Sequence, residues 1–323
     1  MKFYIIYIIF LKFCSADLLD SSKLLFIGQN YNDVKNLTIN LNFNRIFNTN
    51  YFNPSKLSVL IIHGFEGSYE TRIGKSLVDS FLTRPEYNVI FADWSERANG
   101  GYLDVVYVMS EVAQKFVRLL NKIQTFGYDL SKIYIVGHSL GAHMAGRIGT
   151  LLQSQNVFLP RITGLDPAGP LFNWTALIMK IFGSDVFFPR FKPLTKGNAK
   201  FVDIIHSNAG WFRGLMFSTG DVDFWPNGGS IQPMCTGCGF LNLFKNLDKC
   251  SSCHHLASAF YYAESVRSSE SIFTARRCKS GSILPLAMLC RGPEVASMGF
   301  YASRASRSGD YYLTTKATAP YSY

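Results

Sequence analysis

The chain has 323 residues, 48% of them hydrophobic, which is enough apolar material for a sizeable core and excludes a disordered protein. Its formal net charge is +10, but the basic residues are scattered rather than clustered. That spread speaks against a nucleic-acid partner and matches an anionic lipid surface better.

In chain order, Met1-Lys2 precedes an apolar run from Phe3 to Leu11, then Lys12 and Phe13-Cys14-Ser15-Ala16. A short apolar stretch ending in small residues reads as a secretory signal peptide cut after Ala16, too short for a membrane anchor. The expected mature chain is then residues 17–323, a single domain of charge about +8, secreted into an oxidising compartment. The segment Asp17 to Pro54 is polar and Asn-rich and receives no element. Leu57–Ile62 is a buried strand ending in His63-Gly64-Phe65, and Asn88–Ala92 is a second, ending in Asp93-Trp94. Apolar residues from Val105 to Leu120 recur at near-helical spacing and predict a helix over Tyr102–Thr125. A β-branched run from Ile133 then feeds Gly137-His138-Ser139-Leu140-Gly141, with a helical pattern from Leu140 to about Leu152. Arg161–Leu165 and Phe201–His206 are further strands, the first delivering Asp166. Strands alternating with helices predict a mostly parallel α/β sheet.

Strand, Gly-x-Ser-x-Gly turn and helix together are the context of a nucleophile elbow, so Ser139 is the candidate nucleophile. A serine needs a base, an acid to orient that base, and donors for the oxyanion. Asp166 follows the serine at a strand end and suits the acid; His254 and His255, further on at the start of a helical pattern, are candidates for the base. His206 is also in order but reads as a structural strand-end residue. The Leu140 N–H at the helix start and the Phe65 N–H in the early turn are the candidate oxyanion donors. Of seven cysteines, Cys14 falls in the leader, leaving Cys235, Cys238, Cys250, Cys253, Cys278 and Cys290. The two Cys-x2-Cys pairs have zinc-site spacing, whereas an even count in a secreted chain favours disulfides. Asn36-Leu37-Thr38 and Asn173-Trp174-Thr175 fit the glycosylation pattern.

These motifs, with Gly164-Leu165-Asp166-Pro167-Ala168-Gly169-Pro170 and Asp223-Phe224-Trp225-Pro226-Asn227-Gly228-Gly229, resemble the pancreatic-lipase superfamily, in order from about Leu57 to Tyr312. The resemblance implies an α/β-hydrolase fold and a secreted enzyme that cleaves lipid carboxyl esters. It carries over Ser139 as nucleophile, Asp166 as acid, and Phe65 and Leu140 as oxyanion donors. The family pattern Cys-Ser-His, laid on Cys253, puts the base at His255, with His254 in place of the serine. It also implies the disulfides Cys235–Cys253, Cys238–Cys250 and Cys278–Cys290, the first two at the base of a lid.

That lid, Gly239 to Lys249, is short, and the sequence stops at Tyr323 without the C-terminal β-sandwich of pancreatic-type lipases. Both features resemble the secreted phospholipases A1. The expected activity is therefore release of the sn-1 acyl chain from glycerophospholipids. A broader lipase acting on triacylglycerols or galactolipids is the alternative, and a non-catalytic lipid binder like the superfamily's yolk proteins is the rival of another class. No cofactor and no obligate protein partner are expected. The family's calcium ligands align with Pro193, Thr195 and Asn198, so no metal is expected either. Residues 173–195 form an insertion relative to the family, either a loop that dips into a phospholipid surface or a small helix packed on the domain.

Overall fold

A computed structural model describes residues 22–28, 30, 32–37, 47, 49–182, 189–209, 213–238, 247–278, 290 and 292–323. The signal-peptide expectation, most of the lid and the middle of the insertion lie outside these residues. Among them, eleven strands form one sheet: β1 (Lys23–Ile27), β2 (Val34–Leu37), β3 (Leu57–Ile62), β4 (Tyr87–Asp93), β5 (Ile133–His138), β6 (Arg161–Leu165), β7 (Val202–Ile205), β8 (Val222–Pro226), β9 (Thr274–Arg277), β10 (Val295–Ser297) and β11 (Gly309–Leu313). The sheet order is β10-β9-β11-β8-β7-β6-β5-β3-β4-β1-β2. From β4 through β3, β5, β6, β7 and β8 to β11 every pairing is parallel. Antiparallel pairs occupy both edges, β1 with β4 and β2 at one end, β9 with β11 and β10 at the other.

Strands β3, β4 and β5 are dominated by apolar residues because both of their faces are covered. Leu60, Ile62, Ile133 and Ile135 point to one side and pack with α2 (Tyr102–Gln124) and α3 (Leu140–Gln153). Val59, Ile61, Tyr134 and Val136 point to the other, against α1 (Arg72–Phe81) and α5 (Leu247–Arg267). Helix α1 starts at Thr71, whose hydroxyl accepts the Gly74 N–H at 3.2 Å and satisfies one orphan donor of the first turn. No helix among the described residues is long and apolar enough to cross a membrane.

Two elements differ from the sequence reading, and in a third, the insertion, the helical alternative is the one observed. The Asn-rich segment contributes β1 and β2, because Leu24 and Phe26 alternate with Leu25 and Ile27 and bury both faces of a short edge strand. The histidine-bearing helix begins at Leu247, so His254 and His255 lie well inside it rather than at its start. The insertion opens with a helix, α4 (Phe172–Phe182), which buries Phe172 and Ala176 yet leaves Trp174 71% and Ile181 62% exposed.

Strands β6 and β7 are cross-linked beneath the core. The Arg161 guanidinium donates to both Asp203 oxygens at 2.7 and 2.8 Å and to the Phe300 and Gly299 carbonyls at 2.7 Å each. The Thr163 hydroxyl donates to the same carboxylate at 2.8 Å. Asp203 is fully buried, so removing its counter-charge strands it. Arg161→Met is expected to lower the unfolding free energy by about 3–5 kcal/mol in urea titrations; a loss below about 1 kcal/mol would contradict this role for the pair.

Candidate active site

Ser139 stands at the end of β5 with φ 56° and ψ −123°, a conformation a side-chain-bearing residue occupies only under constraint. Its neighbours supply the constraint. The Ser139 N–H donates to the Leu165 carbonyl at 3.0 Å, and the Ser139 carbonyl accepts from Ala142 at 3.1 Å. A Cβ on Gly141 would lie 2.3 Å from the Ile62 oxygen and 2.5 Å from that of His63, so only glycine lets α3 enter this close to β3. The loop after β3 meets the elbow as closely: a Cβ on Gly64 would lie 2.6 Å from the Ser139 Cβ. This contact brings the Phe65 turn and the Leu140 end of α3 to the same serine.

His63 holds that turn in shape. The Trp94 N–H donates to His63 Nε2 at 3.1 Å, which leaves Nδ1–H to donate to the Gly64 carbonyl at 2.9 Å. The Trp94 indole closes the circuit on the His63 carbonyl at 2.9 Å. Phe65 packs edge-on against Tyr102, with ring centroids 5.3 Å apart.

Asp166 lies at the end of β6, fully buried, with φ 41°. Its Oδ1 accepts the N–H groups of Ser207 at 2.7 Å and Asn208 at 3.0 Å; its Oδ2 accepts the His255 Nδ1–H at 2.5 Å. Donation from Nδ1 fixes the His255 tautomer and leaves Nε2 as the basic nitrogen. His138, beside the serine, supports His255 from below: its Nε2–H donates to the His255 carbonyl at 3.2 Å and the rings are 4.7 Å apart. Burial, then the proximity of His255, pushes the His138 pKa down to about 3.

His254 is turned elsewhere. Its Nδ1 accepts the Gln232 N–H at 3.1 Å and its Nε2–H donates to the Cys238 carbonyl at 3.2 Å. Burial lowers its pKa, and it ties α5 to the disulfide turn. One residue along a helix is a rotation of about 100°, which is why adjacent histidines face different partners. His206 forms a second buried pair, with Asp223 at 2.8 Å, stacked on Trp225 at 3.8 Å; its Nδ1 meets the Leu215 carbonyl at 3.1 Å. Sequence reasoning missed Ser207 and Asn208. Their backbone amides act, not their side chains, and the only available signal was the loop that directly follows the His206 strand.

The cysteines are bonded as Cys235–Cys253, Cys238–Cys250 and Cys278–Cys290. No thiolate in the two Cys-x2-Cys pairs is therefore left to ligate zinc. Cys250 and Cys253 are three apart on one face of α5, which puts both opposite the Cys235–Cys238 turn. At the aligned calcium positions, Asn198 Oδ1 already accepts the Thr195 N–H at 2.8 Å and its Nδ2 donates to Thr150 at 3.1 Å. Among the described residues, no group of three or more His, Cys, Asp or Glu side chains could hold a metal.

The family model described as Lipase matches residues 14–321. The lipoprotein lipase of Homo sapiens is 31% identical over 289 residues, covering 84% of this chain and 58% of its own length. The Bos taurus lipoprotein lipase is 31% identical over 287 residues, covering 84% and 57%. The chain thus spans little more than half the length of these relatives.

His143, one turn along α3 from Ser139, is also buried neutral: Nδ1 accepts the Leu194 N–H at 3.0 Å and Nε2–H donates to the Ala168 carbonyl at 2.8 Å. Burial pushes its pKa down to about 3, against the pull of the Ala168 carbonyl. An unfolded histidine titrates near 6.5, so between that pH and about 3 the unfolded chain binds more protons at His138 and His143 than the folded one. Stability contributed by these neutral rings is complete above about pH 6.5 and is lost as pH falls. Urea unfolding is expected to weaken by up to about 1.4 kcal/mol per pH unit per histidine between about pH 6 and 4.5, and His143→Gln to flatten that slope. A slope unchanged by the substitution would contradict the assignment.

Proposed function

Because the chain belongs to the Lipase family, within the pancreatic-lipase superfamily that its motifs resemble, we propose that it is a secreted serine esterase releasing the sn-1 acyl chain of glycerophospholipids. The observation that carries this reading is the 2.5 Å Asp166–His255 hydrogen bond beside a strained Ser139, with His254 engaged elsewhere. In this account His255 Nε2 takes the Ser139 proton as Oγ attacks the ester carbonyl. The Phe65 and Leu140 amides receive the oxyanion. His255 then protonates the departing glycerol oxygen, and the acyl group stays on Ser139. A water deprotonated by His255 attacks that acyl-enzyme, and collapse of the second tetrahedral intermediate frees the fatty acid and Ser139.

The choice of phospholipid rests on the lid. Cys238–Cys250, separated by 12 positions, is nested inside Cys235–Cys253, separated by 18, so the loop between them is short and anchored at its root. A lid this short would leave the mouth of the site open to a polar headgroup. Trp174 and Ile181, seven apart on α4 and exposed, together with a net positive charge of about +8 on the mature chain, support a phospholipid aggregate or membrane surface as the partner. Three disulfides support the extracellular location. Likeness to the lipoprotein lipases favours the second reading, a triacylglycerol lipase.

Purified protein given mixed phospholipid and triacylglycerol substrates should release sn-1 fatty acid from the phospholipid, and Ser139→Ala should lower that release by about 10⁴-fold or more. Release from triacylglycerol alone would replace the first reading by the second, and release that persists in Ser139→Ala would contradict both. His255→Ala should match the serine variant, while His254→Gln should keep turnover within about tenfold and instead cost about 1–3 kcal/mol of stability. The reverse ranking of the two histidines would assign the base to His254.

A further inference from the structure

Away from the catalytic serine, a cavity of about 230 Å³ opens between α2, α3 and the end of the insertion with the residues just after it. Ser110 and Gln114 line it from α2, Arg147 and Thr150 from α3, and Lys192 and Asn198 from the remaining wall. Two of these side chains are cationic and none of the described lining residues is acidic. Arg147 dominates the pocket. Its Nη1 donates to the Ser110 hydroxyl and its Nη2 to the Arg190 carbonyl, while its buried Nε finds no acceptor among the described residues. Both of these partners are neutral, so among the described residues no carboxylate is bonded to the guanidinium. Burial, and the like charge of Arg190, lower its pKa to about 10, as expected of a cation without a counter-ion. A partly buried charge of this kind is stabilised by an anion brought to it.

We propose that this cavity is an oxyanion site for a phosphate group, held by the Arg147 guanidinium. A guanidinium presents its donors as a planar fork that matches two oxygens of a phosphate. The cavity is too small for an acyl chain and suits a compact tetrahedral anion with the amides of Gln114 and Asn198 nearby. The phosphate comes either as the free ion or as a lipid headgroup. Arg147 is eight residues past Ser139 on the same helix, about 12 Å along its axis, so the site is separate from the ester-cleaving centre. It bridges α3 to the Arg190 backbone and would fasten the end of the insertion when filled.

The test is thermal unfolding of the intact protein in increasing sodium phosphate at constant ionic strength. The melting temperature is expected to rise saturably by about 2 °C or more. Arg147→Met should abolish the rise while keeping the native circular dichroism and the hydrolysis of a soluble ester. Arg147→Lys, which keeps the charge but not the planar fork, should weaken phosphate binding by about threefold or more, and it reads the same prediction if Arg147→Met does not fold. Flotation with phosphatidylcholine vesicles, with and without phosphatidic acid, identifies the source in a Ser139→Ala background. Extra binding to phosphatidic acid that Arg147→Met removes assigns the lipid headgroup; a phosphate-dependent melting shift with no such difference assigns the free ion. No shift in the parent protein, or an equal shift in the parent and both variants, would overturn the proposal.

Discussion

A carboxylate with no exposure to water has to be met on every side, and Asp166 is met by two backbone amides and one imidazole. Burying an ion costs several kcal/mol unless hydrogen bonds replace its water. The chain satisfies this demand with three separate segments: the end of β6, the Ser207-Asn208 loop after β7, and helix α5. These segments are far apart in sequence, and the carboxylate fixes how they meet. His255 is oriented as a consequence, because Nδ1 is committed to Asp166 and Nε2 remains basic. The same requirement explains why the neighbouring histidine cannot exchange roles, since both of its nitrogens are held by the Gln232 and Cys238 backbone.

The other constraint is closeness of backbone at the C-terminal edge of the parallel strands. Ser139 and Asp166 both have positive φ, and both sit where a strand ends. Such strain of about 1–3 kcal/mol each persists only where the surroundings over-determine the turn. Here the surroundings are the glycine contacts of Gly64 and Gly141, which leave no space for a side chain between β3 and the elbow. Open parallel sheets bind ligands at this edge because the loops there converge. The buried neutral histidines His138 and His143 belong to the same edge and make it sensitive to acid.

Much of this was legible in the residues. The apolar runs of β3, β4 and β5 mark themselves, because strands covered on both faces are dominated by apolar residues. The Gly-x-Ser-x-Gly turn names its serine for a steric reason, and the motif order supplied Asp166, Phe65 and Leu140. The unread parts have identifiable causes. Strand β1 is five residues long and lies in an Asn-rich stretch whose composition outweighs its alternation. Helix α1 carries Thr71 as a cap and Leu77 and Phe81 as a core face, a signal that was present and not used. The start of α5 was hidden by Cys250 and Cys253, whose spacing suits a metal loop as well as a helix face. The amides that hold Asp166 are backbone groups and leave no mark in side-chain identity.

The central claim is that Ser139 is made nucleophilic through His255 by the buried Asp166. The most direct measurement is covalent labelling with a p-nitrophenyl alkylphosphonate, locating the adduct by peptide mass spectrometry in the parent protein and in Asp166→Asn. The account predicts a single adduct on Ser139, formed about 10³-fold or more slowly in the variant. An adduct on another residue, or equal labelling rates in the two proteins, would contradict it.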